Sequence, residues 1–238
     1  MFFLLFAAIL NIETYYLSEQ KNSEQVDVAT KLISTAEADI NIEIFRRHDA
    51  VKFKTAAITS LARLDSQVYS DKNTPKSLDL VLFRYLVLPT LPPKSKEIDL
   101  RIIFSSLPLV HCYEVYETDR GSLYFGPVSI GCGALKGRVA TEIIGGQLIS
   151  DDTIIVGNIQ SVINRDSEIK RANILSHELG HFVGIKTHAD EDVCKQKPLI
   201  MCGTSGKDAK YIIFDESYKK AWRDFYYQKT GQRLEPSK

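Results

Sequence analysis

The 238-residue chain is sparing with several residue types. It has five histidines, four cysteines, two methionines and one tryptophan. Charge of one sign is not in excess, since 30 Lys and Arg balance 30 Asp and Glu. Proteins that grip DNA, RNA or an anionic membrane surface usually carry a cationic surplus, so neither nucleic acid nor stable membrane insertion is expected. No apolar run reaches the roughly 20 residues a membrane-crossing helix needs. There is no Asn-x-Ser/Thr acceptor, no internal repeat and no low-complexity tract. With 44% hydrophobic and 25% charged residues, what remains is an ordinary globular composition, long enough to bury a core without staples. One domain is expected, with two small ones the outer limit.

The chain opens on an apolar run, Met1 to Ile12, interrupted at Asn11. This is too short to span a bilayer but has the length of a signal-peptide core. Residues 1–17 are therefore expected to be a signal peptide, with residues 18–238 as the single domain of a secreted, extracellular protein. No Lys or Arg precedes the run, and no small-x-small cleavage site follows it. The other reading is a buried N-terminal strand or helix. Cys112, Cys132, Cys194 and Cys202 all lie in the later half. In a secreted protein an even count suits two disulfides, and proximity favours Cys112–Cys132 and Cys194–Cys202. In a cytosolic protein they would be reduced, mostly buried thiols.

Periodicity divides the chain into helices and strands. Val26, Ala29, Leu32, Ile33 and Ala36 have helical spacing, after which Asp39 to Phe45 alternates as a strand does. Val51, Phe53, Ala56, Ala57, Leu61, Leu64 and Val68 repeat near 3.6 residues, which predicts a long amphipathic helix over 50–69. Asp79 to Leu88 reads as a buried strand between prolines, and Pro89, Pro92 and Pro93 mark a loop. Ile98–Phe104 and Ile154–Val156 are further strands, separated by a glycine-rich stretch over 121–146. A helix is expected from Ser167 through Phe182 and another over Asp215–Gln228, whose aromatic stripe reads as core. This alternation predicts a mixed α/β (α+β) domain.

Three of the five histidines crowd into His177-Glu178-Leu179-Gly180-His181-Phe182-Val183-Gly184-Ile185-Lys186-Thr187-His188. Residues i and i+4 of a helix share a face, about 5–6 Å apart at Cβ. Imidazoles at 177 and 181 therefore converge on one ion, and Glu178 stands where a general base is needed. Gly184 lets the helix end sharply, and His188 follows as a third ligand. Gly180 weakens the helix, but its small size suits close packing. His48 and His111 have no partner at ligand spacing and are read as structural. A run Pro198-Leu199-Ile200-Met201-Cys202-Gly203 lies about a dozen residues on.

These residues resemble the metzincin clan of zinc peptidases, whose pattern is HExxHxxGxxH followed by a methionine-containing turn. The order of elements, and the C-terminal helix with Tyr218, Ala221, Trp222, Phe225 and Tyr226, resembles the reprolysin (adamalysin) branch. The resemblance implies Zn2+ held by His177, His181 and His188, Glu178 as catalytic base, Gly184 as the helix-ending turn and Met201 as the turn methionine. It implies a mixed twisted sheet carrying a zinc-binding active-site helix and a C-terminal helix. It also implies a monomeric, secreted zinc metalloendopeptidase acting on protein or peptide substrates. The substrate strand would be Gly145–Val156, and the specificity pocket would lie near Met201 to Lys210. One departure stands out: three residues, not two, separate Gly184 from His188, and Thr187 takes the family's histidine position. Asp190 or a water is the alternative third ligand. Two rival readings follow: a secreted, catalytically degenerate binding protein of this fold, and a structural protein whose histidines pack without metal.

Overall fold

The computed structural model describes residues 7–17, 23–45, 50–56, 59–61, 78–80, 83–117, 123–127, 138–159, 165–203 and 212–234. The main sheet runs β2 (Ala50–Thr55), β1 (Ala7–Leu17), β5 (Leu100–Ser105), β10 (Thr153–Val156), β9 (Gly146–Ser150), with β3 (Thr59–Leu61) also on β1. The β1 pairings with β2, β3 and β5, and that of β5 with β10, are parallel; β9 is antiparallel to β10. A smaller sheet holds β4 (Leu78–Asp79), β6 (Leu109–Glu117), β7 (Leu123–Pro127) and β8 (Arg138–Ile144).

Both faces of the central strands are covered, and the period of two decides which residue goes where. Leu10, Ile12, Leu100, Ile102, Phe104, Ile154 and Val156 face one core. Tyr15, Leu17, Ile103 and Ile155 face the other, with Leu78, Leu80, Phe83 and Leu109. The first core is roofed by helices α1 (Ser23–Ile44), α2 (Arg165–Phe182) and α4 (Glu216–Thr230). These supply Leu32, Ala36 and Ile40, then Ala172, Leu175 and Leu179, then Tyr218, Trp222 and Tyr226. A six-residue helix, α3 (Glu191–Gln196), lies in the loop between α2 and α4. No helix among the described residues is long and apolar enough to cross a membrane.

Most expected elements are present, and three local expectations need correction. The helix from Val26 does not give way to a strand at Asp39 but continues to Ile44, burying Ile40 and Ile44 against the sheet. The long helix expected over 50–69 is instead strands β2 and β3, with residues 62–69 outside the described set. Over 50–55 a two-residue alternation was hidden under the helical one. Val51 is buried and Phe53 half-buried, while Lys52 and Lys54 are exposed. Pairing with β1 selects that period, and Asn41 of α1 accepts from the Val51 N–H and donates to its carbonyl, both at 2.9 Å. The buried strand expected over Asp79–Leu88 shrinks to Leu78–Asp79, followed by a helical turn at Phe83–Val87 and a 3-10 turn at Leu88–Thr90. Within the residues of the expected leader, Ala7–Leu17 forms β1, with Leu10 and Ile12 fully buried. The expected boundary at residue 17 falls at the end of this core strand.

Candidate metal centre

The site is built on the C-terminal half of α2. Its first turn carries Asp166 and Glu168, the sign that the helix dipole favours at an N-terminus. Residues 172–180 are buried, because this half lies over β9 and β10. Helix α4 packs against it through Tyr218. Burial pushes the Tyr218 phenol well above its usual pKa, so it stays a neutral donor, and its hydroxyl donates to the Ser176 carbonyl at 2.6 Å.

Gly180 makes that approach possible. A Cβ there would lie 2.5 Å from the Met201 sulfur and 2.7 Å from the Tyr218 ring. The close packing expected of this glycine is thus present, and Met201, 2% exposed, is one of the two residues packed on it.

The helix ends in a paired-hydrogen-bond C-cap. The Ile185 N–H donates to the Gly180 carbonyl at 3.1 Å, the Gly184 N–H to that of His181 at 3.0 Å, and Gly184 has φ +112°. Glycine adopts this left-handed conformation without the Cβ penalty. The reversal aims the Ile185 carbonyl at the His181 ring, which donates to it from Nδ1 at 2.6 Å. The His177 ring donates likewise, from Nδ1 to the Ile200 carbonyl at 2.7 Å. A carbonyl only accepts, so each Nδ1 carries the hydrogen, which in a neutral imidazole leaves the lone pair on Nε2. Metal-binding histidines are commonly oriented this way.

His188 completes the group. The ligand atoms of His177, His181 and His188 all lie within 4.8 Å of one another. The Nε2 atoms of His181 and His188 are 3.3 Å apart. Two nitrogens bound tetrahedrally at 2.0–2.1 Å from zinc are about 3.3–3.4 Å apart, so this pair already has ligand spacing. His177 is buried, His181 half-buried and His188 exposed, so the cluster opens to solvent on the His188 side. Asp190 is occupied elsewhere, as the N-cap of α3, accepting from the backbone N–H of Asp192 at 2.9 Å and of Val193 at 3.2 Å.

Glu178, 3% exposed, lies between α2 and β9. Its Oε2 accepts from the Leu148 N–H at 2.8 Å, and a Cβ on Gly146 would come within 3.3 Å of its Cγ. The motif glutamate is thus held against the outermost strand of the main sheet. Cys194 and Cys202 form a disulfide. The Cys112–Cys132 pairing lies outside the described residues, as do His48 and residues 204–210 of the expected specificity pocket. Sequence reasoning missed the carbonyls of Ile185 and Ile200 and the Leu148 N–H. Backbone groups have no residue-type signal.

No family model and no curated protein matches the sequence. Solved structures do. The crystal structure of archaemetzincin from Methanopyrus kandleri has a TM-score of 0.52, covering 92% of this chain and 96% of that one at 15% identity. Metalloproteinase-II from Bacteroides fragilis has a TM-score of 0.43 over 90% of this chain and 51% of that one, at 10% identity. The chain has the mixed α/β fold seen in the archaemetzincin structure.

Proposed function

We propose that this chain is a zinc-dependent endopeptidase, with His177, His181 and His188 as ligands and Glu178 as general base. The observation that carries the reading is the convergence of three histidine ligand atoms, two of them already 3.3 Å apart, beside a buried glutamate. The archaemetzincin likeness over nearly the whole chain supports it. Bound in this group, zinc supplies a Lewis acid for a scissile carbonyl and brings the pKa of a water towards neutrality. Glu178 takes the proton of the attacking water and passes it to the leaving amine. The Leu148 N–H fixes the carboxylate for that exchange, while an extended peptide adds as a strand along β9.

The Cys194–Cys202 disulfide suits an oxidising compartment, and on that ground we propose an extracellular enzyme. Its proposed substrates are proteins or peptides, and its proposed state is a monomer. That placement does not draw on residues 1–17, whose Ala7–Leu17 part is built into the sheet. Within the clan, the reprolysin-like assignment rests on element order and the C-terminal helix; the structural likeness above is to archaemetzincin.

The test is elemental analysis of the purified chain together with casein cleavage. We expect one zinc per chain and cleavage that a chelator abolishes and zinc restores. Glu178→Ala should retain zinc and lose about 10²–10⁴-fold in rate. Stoichiometric zinc without Glu178-dependent cleavage would establish the binding-protein reading instead. Absence of zinc, with a melting temperature indifferent to chelator, would establish the metal-free one.

A further inference from the structure

Two of the three histidines stand on one rigid helix, where i, i+4 spacing alone sets their relation. The third does not. His188 comes from the segment 188–203: Ile200 and Met201 at its far end are anchored in the main core, while Cys194, Leu199 and Cys202 form a small cluster of their own with Ala189 against it. Helix α3 has six residues, too few to hold shape unaided. Yet this segment supplies two groups of the centre, the His188 ring and the Ile200 carbonyl that orients His177.

Its two ends are brought together. The Ala189 N–H donates to the Met201 carbonyl at 2.8 Å. A Cβ on Gly203 would sit 3.6 Å from the His188 Nδ1, so residue 203 lies beside that ring. The covalent closure of the same segment is the Cys194–Cys202 disulfide, with Cys202 fully buried and Cys194 7% exposed. Cys202 stands next to both Met201 and Gly203, and Cys194 closes α3 back onto them. The disulfide therefore links the strut under His188 to the turn that carries the Ile200 carbonyl.

We propose that the Cys194–Cys202 disulfide is a positioning element of the metal centre, fixing the third ligand that the helix cannot place. This rests on the zinc reading above. It also accounts for the tolerated extra residue between Gly184 and His188. The ring is located from the disulfide-closed side of the chain and not by its count from the helix.

The experiment compares zinc affinity, by competition with a chromogenic chelator, in four proteins: wild type, Cys194→Ala/Cys202→Ala, His188→Ala, and the triple variant. Both cysteines are replaced so that no thiol remains to bind zinc. Far-UV circular dichroism checks that each is folded. We expect the double variant to bind zinc about 10–100-fold more weakly, the range for groups that orient ligands. In the His188→Ala background the same replacement should have a much smaller effect. Unchanged affinity in the double variant would overturn the proposal. So would an equal loss in both backgrounds, which would mark the disulfide as a general stabiliser. A wild-type chain that binds no zinc would sink the metal reading itself, and this inference with it. If the double alanine variant does not fold, Cys194→Ser/Cys202→Ser takes its place in both backgrounds, with the same outcomes deciding.

Discussion

His188 stands one position beyond the family's third histidine, and spacing alone left Asp190 in competition with it. The structure separates their surroundings: His188 joins the other two rings, and the Asp190 carboxylate caps α3. This yields a pair of opposite expectations. His188→Ala should weaken zinc binding by about 100-fold or more, beyond the 10–100-fold typical of groups that only orient ligands. Asp190→Ala should leave zinc affinity unchanged and cost about 1 kcal/mol of stability, the usual value of a lost N-cap. Chelator competition and urea unfolding measure the two. The reverse pattern would make Asp190 the ligand.

Between elements, the decisive contact is that of α2 with α4 and the turn at Met201. Alanine in place of Gly180 gains about 1 kcal/mol in helix propensity. Against that, its Cβ would fall 2.5 Å from the Met201 sulfur and 2.7 Å from the Tyr218 ring. The thioether end can give way. The Tyr218 ring is fully buried and its hydroxyl is bonded to Ser176, so it has no room to retreat. Overpacking of this kind costs about 1–3 kcal/mol, so against the gain in propensity we expect Gly180→Ala to be a net destabiliser by up to about 2 kcal/mol in denaturant melts. A stabilised variant would show that α4 moves aside at little cost.

Across the whole molecule, β1 holds the main sheet together. It pairs with β2, β3 and β5, and its side chains enter both cores. A chain starting at residue 18 would leave β2 without its partner strand and β5 without one neighbour. We expect such a chain to lack cooperative unfolding by circular dichroism, whereas one starting at Ala7 keeps it. A cooperative melt from the shorter chain would mean that β5 and the helices suffice. The apolar character of this segment was plain in the sequence. A signal-peptide core and a central strand covered on both faces are both short apolar runs, so composition alone does not tell them apart.

What the sequence determined by itself was whatever depends on near neighbours along the chain. The i, i+4 histidines, Gly184 at the helix end and the short apolar runs of β5 and β10 follow from local sequence and backbone sterics, and the structure has each of them. The tertiary structure decided what depends on distant partners. Val51 and Phe53 become strand because β1 is there to pair with them. His188, from outside α2, joins the other two rings, and the His181 and His177 rings are aimed by the carbonyls of Ile185 and Ile200. The physical reason is the same in each case. Side-chain type and spacing are written in the chain, but hydrogen-bond partners across the fold come into existence only when the chain has closed on itself.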